Sequence, residues 1–269
     1  MTLLAGELYV LRAKIPDQVQ VYDVISYRLL CHLTVPDYCS LADMTSCEHY
    51  RCVYIADLDG KCVHRLDAQG TFTRWTVNDK PRSLSVNAAH NVIVTCNKVR
   101  KIKEFSSHGD LLRELTLPDD VIKPRHAIQT LSGQFIVCHG GRHNPVRRVC
   151  MMSADGRHIV HSHGGQKGSD TDQYRVPIHL AVDDNEFAFV ADRDNRRVTL
   201  LSPTLEYVSQ VVSRDQLKSE PKKRFLDKLL LDTQKRPTRV CLDTERRLLY
   251  VAESDRYYTV GCVEVFSLK

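Results

Sequence analysis

Two histidines occupy the same place in a short phrase that opens with proline, Pro124-Arg125-His126 and Pro177-Ile178-His179. Imidazole is the commonest metal ligand in proteins, so a metal site at these two equivalent positions is a hypothesis to weigh. Catalytic zinc takes three protein ligands, and the corresponding positions elsewhere align as the poor ligands Ser40, Ser83 and Arg239. None of these five positions offers a carboxylate for calcium. The chain therefore supplies two zinc ligands and lacks the third.

Basic residues form a second group that could do chemistry. The chain of 269 residues has a net charge of +5, and arginine is frequent in its polar connecting segments. A guanidinium pairs with phosphate or carboxylate and stacks on bases, so this group predicts an anionic partner, either an acidic protein or RNA. Solvated loop surface is the alternative interpretation. The candidate partner-binding residues are Arg82, Arg125, Arg142, Arg147, Arg148, Arg193, Arg196, Arg197, Lys222, Lys223, Arg224 and Arg239.

Three of these residues, Lys222-Lys223-Arg224, lie in a long segment spanning residues 214–236. Directly after them, apolar residues recur four positions apart, at Phe225 and Leu229 and again at Leu226 and Leu230. This spacing predicts a short amphipathic helix inserted between two larger units, and we favour it over a nuclear-import tract. The basic start of the helix would face solvent or ligand.

The cysteines and the composition indicate a cytoplasmic globular protein. Hydrophobic residues make up 42% of the chain, which excludes disordered and low-complexity classes. The 10 cysteines lie mostly inside apolar runs, and neither Cys-x-x-Cys pairs nor Asn-x-Ser/Thr acceptors occur. We therefore predict free thiols in a chain without a secretory leader or membrane span.

An apolar phrase recurs along the whole chain. Three copies are close to one another: Tyr54-Ile55-Ala56-Asp57, Phe189-Val190-Ala191-Asp192 and Tyr250-Val251-Ala252-Glu253. Weaker copies end at Arg12, Cys96 and His139, which makes six units at intervals of 39 to 61 residues. Each phrase is flanked by short alternating segments and glycine-containing turns, which predicts four antiparallel strands per unit. Six such units predict an all-β, six-bladed β-propeller occupying residues 1–269 as one domain.

Strand direction then predicts where the charges lie. In a four-stranded meander, the loops from strand two to strand three and the connections between blades emerge on one face. The charges counted in those loops exceed the net charge of the whole chain, so this face is predicted to be basic and the rest of the molecule negative.

The fifth unit carries a family resemblance. The run from Pro177 to Asp183, followed by Phe189 to Val198, resembles the NHL repeat, the unit of six-bladed propellers in tripartite-motif proteins. Arg196 stands where the family usually has histidine. The resemblance implies a non-catalytic platform that recruits a protein or RNA and needs no cofactor. It also leads us to expect a cytoplasmic, membrane-independent domain that is monomeric in isolation.

Two alternatives stay open. Peptide-amidating lyases resemble this architecture and hold zinc with three histidines near the channel, so a zinc-dependent enzyme using Ser83, His126, His179 and Arg239 as channel residues is the second hypothesis. The first unit is predicted to begin at its second strand, near Leu8. Its missing strand would come from the other terminus or from a longer natural chain.

Overall fold

The computed structural model describes residues 1–12, 18–141, 145–213, 224–225, 236–254 and 260–268. Within these residues, twenty-four strands form six antiparallel sheets of four strands each. The sheets are the blades of a six-bladed β-propeller, which confirms the predicted fold class. No helix in this part of the chain has the length and apolar character required to cross a bilayer.

The first three blades contain consecutive strands. Blade one contains β1 (Thr2–Leu4), β2 (Glu7–Arg12), β3 (Gln18–Asp23) and β4 (Leu29–Leu33). Blade two contains β5 (Leu41–Cys47), β6 (Cys52–Asp57), β7 (Cys62–Leu66) and β8 (Phe72–Thr76). Blade three contains β9 (Ser83–Val86), β10 (Val92–Cys96), β11 (Lys101–Phe105) and β12 (Leu111–Thr116).

The other three blades follow the same plan with one exception in blade six. Blade four contains β13 (Pro124–Gln129), β14 (Phe135–His139), β15 (Arg147–Met152) and β16 (Ile159–Gly165). Blade five contains β17 (Pro177–Val182), β18 (Ala188–Asp192), β19 (Arg197–Leu201) and β20 (Tyr207–Val212), with a 3-10 turn at Arg193–Asn195. Blade six contains β21 (Arg224–Phe225), β22 (Arg236–Asp243), β23 (Leu248–Ser254) and β24 (Val260–Ser267).

The recurrent apolar phrase forms the second strand of each blade. These strands are covered on both faces by neighbouring blades, so β6 and β14 are buried at every position. The fourth strands lie at the periphery, and β4 is largely exposed. Burial on both faces explains why the second strands are largely apolar, whereas the outer strands β4, β8 and β12 are mostly exposed.

Six hydrophobic clusters hold the ring together, one between each pair of neighbouring blades. The cluster between blades six and one closes the ring, and it packs Leu8 and Val10 against Tyr250 and Val263. Since every blade shares its core with both neighbours, no blade covers its own faces alone.

The ring closes differently from the sequence prediction. The first unit does not begin at its second strand, because β1 pairs with β2 and supplies the inner strand of blade one. Blade six takes its outer strand from β21, where Arg224 pairs with Glu264 and Phe225 pairs with Val263 of β24. Each of these two blades is therefore completed by a segment adjacent to it in the chain.

The same pairing corrects part of the predicted helix. Arg224 and Phe225 are in a strand, because the exposed edge of β24 offers backbone partners that periodicity in the sequence does not reveal. The rest of the predicted insert, residues 214–223 and 226–235, lies outside the described residues, and residue 236 opens β22.

Trp75 packs between blades two and three. Its ring lies 5.8 Å from the Tyr54 ring and 6.2 Å from the Phe105 ring, measured between centroids. Gly109, in the turn after β11, has φ +96° and approaches the indole so closely that a Cβ would lie 2.5 Å from Trp75 Cγ.

Gly109→Ala is expected to destabilise the fold by about 1–3 kcal/mol, because the new methyl group overlaps the indole and the backbone φ disfavours alanine. Gly70→Ala is the matched control, since its φ is +83° but nothing lies within 4 Å of its Cβ position. Urea unfolding followed by the fluorescence of the single tryptophan measures both. Equal losses in the two variants would show that the indole contact contributes nothing.

Candidate functional site

One face of the propeller carries the beginnings of the first strands and the ends of the second strands. In blade two, Leu41 pairs with Asp57, Asp57 pairs with Cys62, and Cys62 pairs with Thr76, so these four strand ends share one edge. The connections between blades leave from the same edge. We call this side the loop face.

A cavity of about 440 Å³ opens at the centre of the loop face. Residues of blades one, two, three, four and six line it. They are Met1, Val10, Leu11, Ser40, Leu41, Ala42, Asp43, Leu58, Arg82, Asn97, Lys98, Arg125, Thr238, Arg239 and Ala252. The cavity is the mouth of the central channel, because the first strands of the blades form its wall.

An ion pair between blades two and six forms the floor of this cavity. Arg239 Nε donates to Asp43 Oδ1 at 2.7 Å, while its two Nη groups donate to the carbonyl oxygens of Thr238 and Ala42 at 2.8 and 2.7 Å. The Leu84 N–H donates to Asp43 Oδ2 at 3.0 Å. Burial opposes the ionised form of Asp43, but Arg239 and this hydrogen bond outweigh it and lower the pKa of the carboxyl. Arg239 and Asp43 therefore neutralise each other's charge.

Two buried histidines lie at the same depth. The His126 and His179 rings stack with centroids 3.9 Å apart. The His126 Nε2–H donates to the Leu84 carbonyl at 3.2 Å, and His179 Nδ1 accepts from the Val240 N–H at 3.5 Å. Burial lowers the pKa of His126 to about 4 and the pKa of His179 well below its usual value. Both rings are therefore neutral at physiological pH.

Asp43 occupies the position that the sequence analysis assigned to Ser40. The register places Asp43, His126, His179 and Arg239 opposite equivalent residues of the second strands, namely Ala56, Cys138, Ala191 and Ala252. The expectation that no channel position holds a carboxylate is therefore wrong. The alignment missed Asp43 because blade two lacks the opening proline.

The spacing between the channel residue and the end of the second strand could have identified Asp43 from the sequence. His126 and His179 each precede the end of their second strand, His139 or Asp192, by 13 residues, and Asp43 precedes Asp57 by 14. Counting back from the recurrent apolar phrase, instead of aligning the variable strand entries, finds the channel residue.

The donor atoms of Asp43, His126 and His179 all lie within 4.8 Å of one another. Two imidazoles and one carboxylate are a ligand set that zinc accepts. The buried His126 Nδ1 has no hydrogen-bond partner, which leaves it available to a metal. Against this, Asp43 Oδ1 is bound by the Arg239 guanidinium, whose positive charge opposes a cation at the same oxygen. Ser83, the channel residue of blade three, is also buried.

Three of the predicted partner-binding arginines are not surface residues. Arg147, Arg193 and Arg197 are buried, at 2%, 0% and 6% exposure. The prediction that they are accessible on the basic face is wrong, because acceptors inside the molecule hold each guanidinium.

The acceptors are mainly backbone carbonyls and nearby carboxylates. Arg147 Nε donates to the Gly141 carbonyl at 3.0 Å, and Arg193 Nη1 donates to Asp194 at 2.7 Å. Arg197 donates to Asp192 and to the carbonyls of residues 169 and 170. These three arginines therefore stabilise the loops of blades four and five.

The remaining predicted residues divide into three groups. Arg82, Arg125 and Arg239 come together at the cavity. Arg148 and Arg196 lie further out, where Arg148 pairs with Asp120 at 2.6 Å and Arg196 lines a second, polar depression with Arg175. Arg142, Lys222 and Lys223 lie outside the described residues, and only the backbone of Arg224 is described.

Lys98 lines the cavity beside Arg82 and Arg125 and was not predicted from the sequence. Its ammonium is exposed, and no carboxylate of the described residues lies within ion-pair distance of it. The loop that carries it was counted as basic, but nothing in the sequence showed that Lys98 is closer to the channel than Arg100 or Lys101.

Two carboxylates hold connections of the loop face in place through backbone hydrogen bonds. Asp57, at the end of β6, accepts from the backbone N–H groups of Cys39, Ser40 and Gly60 at 2.8 to 3.0 Å. Asp192, at the end of β18, accepts from the N–H groups of residues 175 and 176 in the same way. The acidic end of the recurrent phrase thus fixes the connection that precedes its own blade.

Comparisons with known proteins support the fold. No protein-family model matches the chain, and no curated protein matches it in sequence. Among solved structures, a protein of unknown function from Bacteroides caccae is similar with a TM-score of 0.67 and 11% identity, covering 93% of this chain and 83% of that one.

Two further similar structures belong to proteins with different functions. A chain of the nidogen/laminin complex is similar with a TM-score of 0.66 and 14% identity, covering 92% of this chain and 84% of that one. A catalytically inactive virginiamycin B lyase from Staphylococcus aureus, solved with quinupristin, has a TM-score of 0.61 and 10% identity, covering 94% and 74%. Identities this low show a shared six-bladed fold, which serves both binding and enzymatic proteins.

Proposed function

We propose that this propeller is a non-catalytic platform that recruits a protein partner at the centre of its loop face. One observation carries the proposal: the channel opens on the loop face into a basic cavity whose floor is closed by groups that already satisfy one another. Arg239 and Asp43 are paired, and His126 and His179 are neutral and stacked. Such a floor favours recognition at the mouth over chemistry in the channel.

Our proposal that the propeller is a cytoplasmic recruiting module rests on the repeat itself. The NHL-like run from Pro177 to Val198 and the closed ring of six blades fit the propellers of tripartite-motif proteins, which act as recruiting modules. All ten cysteines are free, and a reducing compartment such as the cytoplasm suits exposed thiols at Cys31 and Cys39. We therefore propose a cytoplasmic scaffold that is independent of membranes and of cofactors.

Protein is favoured over RNA because of the aromatic residues. Sequence-tolerant RNA binding stacks bases on accessible aromatic rings. Among the described residues, Tyr50 is the one aromatic side chain with large exposure, and it lies in the β5–β6 turn on the opposite face. The described part of the loop face thus offers charge without an exposed aromatic side chain for stacking.

The test compares charge reversal on the two faces. Lys98→Glu with Arg125→Glu changes two bases that line the cavity at the centre of the loop face, and Arg51→Glu with Arg157→Glu changes two exposed bases of the opposite face by the same charge. We expect the first variant to lose most of its partner in affinity capture and the second to keep it. Nuclease treatment should leave the captured partner unchanged.

Two outcomes would contradict the proposal. Equal capture by both variants would move the binding surface away from the loop face. Loss of the captured material after nuclease treatment would replace the protein partner with RNA.

A metal-dependent enzyme is the second candidate function, favoured by the convergence of Asp43, His126 and His179. It requires Arg239 to release Asp43. Metal analysis of the purified chain, compared with a His126→Gln/His179→Gln variant, distinguishes the two candidates. Stoichiometric zinc that disappears in the variant would favour the enzyme.

A further inference from the structure

We infer that the cavity binds the carboxylate of an acidic protein segment, with Arg125 and Lys98 as its principal contacts. This inference rests on the proposed function and names the chemistry of the partner. It uses groups at the mouth of the channel, whereas the metal hypothesis uses the groups beneath them.

The charge of the lining favours an anion. Arg82, Lys98, Arg125 and Arg239 are the basic residues that line the cavity, and Asp43 is the only carboxylate among the lining residues that the structure describes. Asp43 is already neutralised by Arg239 at 2.7 Å. The surplus positive charge therefore lies above the floor, where low-dielectric walls strengthen its field.

Two of the three cavity arginines, Arg125 and Arg239, differ in what they can still bind. Arg239 uses Nε and both Nη groups on Asp43 and on two backbone carbonyls. Arg125 uses only Nε, which donates to the Gly140 carbonyl at 3.2 Å. Both Nη groups of Arg125 have no hydrogen-bond partner among the described residues. Arg239 is thus a structural residue, and Arg125 presents the edge that binds a carboxylate bidentately.

Gly141 helps to hold Arg125 in place. A Cβ at Gly141 would lie 2.8 Å from Arg125 Nη2, so the guanidinium packs directly against this glycine. A guanidinium fixed at Nε and at one side loses little rotamer freedom when a ligand binds. Lys98 adds a mobile point charge from the adjacent blade.

The ligand that fits these groups is a carboxylate. A cavity of about 440 Å³ is in the range that encloses a small group, whereas a polynucleotide backbone is recognised along an extended basic surface. One bidentate edge matches one carboxylate plane. Glutamate or aspartate side chains of an extended segment meet both conditions.

The test uses the peptide Gly-Ser-Asp-Glu-Asp-Glu-Ser-Gly, labelled with fluorescein at its N-terminal amine and amidated at its C-terminus, with anisotropy as the readout. Lys98→Gln/Arg125→Gln is compared with Arg51→Gln/Arg157→Gln, which removes the same charge from exposed sites on the opposite face. We expect the cavity variant to bind at least tenfold more weakly, because each lost charge-assisted hydrogen bond costs about a factor of ten or more. The control variant should bind as the wild type does.

Three further measurements sharpen the result. Arg125→Lys keeps the charge but not the bidentate edge, so it should bind with intermediate affinity. A peptide with Asn and Gln in place of Asp and Glu should not bind. Thermal unfolding should be similar in all variants, since Lys98 is exposed and Arg125 makes a single hydrogen bond.

The outcomes separate this inference from the proposed function. Wild-type protein that fails to bind the acidic peptide at millimolar concentration, or a cavity variant that binds it as well as the control, overturns the inference. If Lys98→Glu/Arg125→Glu still abolishes partner capture in that case, the platform stands and only the carboxylate as its ligand is wrong. Tighter binding of oligouridylate or a phosphoserine peptide than of the acidic peptide would also overturn it.

Discussion

Replacing Asp43 by alanine is expected to lower the free energy of unfolding by about 3–5 kcal/mol. The carboxylate is buried and accepts from Arg239 Nε at 2.7 Å and from the Leu84 N–H at 3.0 Å. Removing it leaves a largely buried guanidinium without its counter-ion and a buried N–H without an acceptor. Because these partners come from blades six and three, the loss affects the centre of the whole ring.

A double-mutant cycle isolates the ion pair. Arg239→Met alone leaves Asp43 without its cation, whereas Asp43→Leu with Arg239→Met removes both charges and fills the space. The double variant should be more stable than the sum of the single losses predicts, since a buried pair replaced by apolar groups is often neutral in stability. Urea unfolding at pH 7 measures all four proteins.

A loss below about 1 kcal/mol in Asp43→Ala would mean that water or a conformational change compensates for the missing carboxylate. In that case the ion pair does not close the channel, and the channel floor could no longer be treated as chemically inert. Circular dichroism shows whether each variant retains its strands.

The fold was predictable because every blade repeats the same sequence pattern. The second strand of every blade is covered on both faces, so its residues are apolar without interruption, as in Cys52–Asp57 and Phe135–His139. The acidic residues that end two of these strands, Asp57 and Asp192, also recur because they bind the backbone of the preceding connection.

The charges were less predictable, because a count along the loops cannot show which charges pair. Arg148 was counted as binding surface but pairs with Asp120, and Lys103 lies buried between Asp79 and Glu114. Arg147 is held by a backbone carbonyl, an acceptor that every residue possesses and that leaves no pattern in a sequence. Ion pairs and carbonyl contacts therefore need coordinates.

The prediction of how the ring closes was wrong for a related reason. A strand of three residues, Thr2–Leu4, and one of two residues, Arg224–Phe225, are too short to show an alternating pattern. Both exist because a neighbouring strand offers unpaired backbone groups, which is a tertiary cause.

Acid is expected to destabilise this protein between pH 6.5 and pH 4 through its buried histidines. An unfolded histidine binds its proton near pH 6.5, whereas burial lowers the pKa of His126 to about 4. Between these values the unfolded state holds more protons, so lowering the pH favours unfolding. His126 alone accounts for about 3 kcal/mol by pH 4. His139, whose pKa burial and Arg148 also lower to about 4, acts in the same direction.

The charged groups around His126 do not change this sign. Asp43 raises the pKa of His126, while Arg239 and the Met1 amino group lower it, and burial exceeds all three. The Asp43 carboxyl has its own pKa held below the usual 3.8, so its contribution to stability is lost only at lower pH. Glu104 and Glu114, whose pKa values are lowered from the usual 4.5, add to the loss of stability near pH 4. The comparison with His126→Gln, and not the pH window alone, therefore isolates His126.

His126→Gln should flatten the pH dependence, since the amide keeps a donor for the Leu84 carbonyl but does not titrate. The matched control is His158→Gln at an exposed position, which should leave the profile of the wild type unchanged. Urea unfolding at pH 7.0, 6.0, 5.0 and 4.5 gives the slopes, and the Met1 amino group cancels because all three proteins contain it. Identical slopes in the wild type and His126→Gln would show that His126 is protonated in the folded state, which would return the channel floor to consideration as a site of proton or metal chemistry.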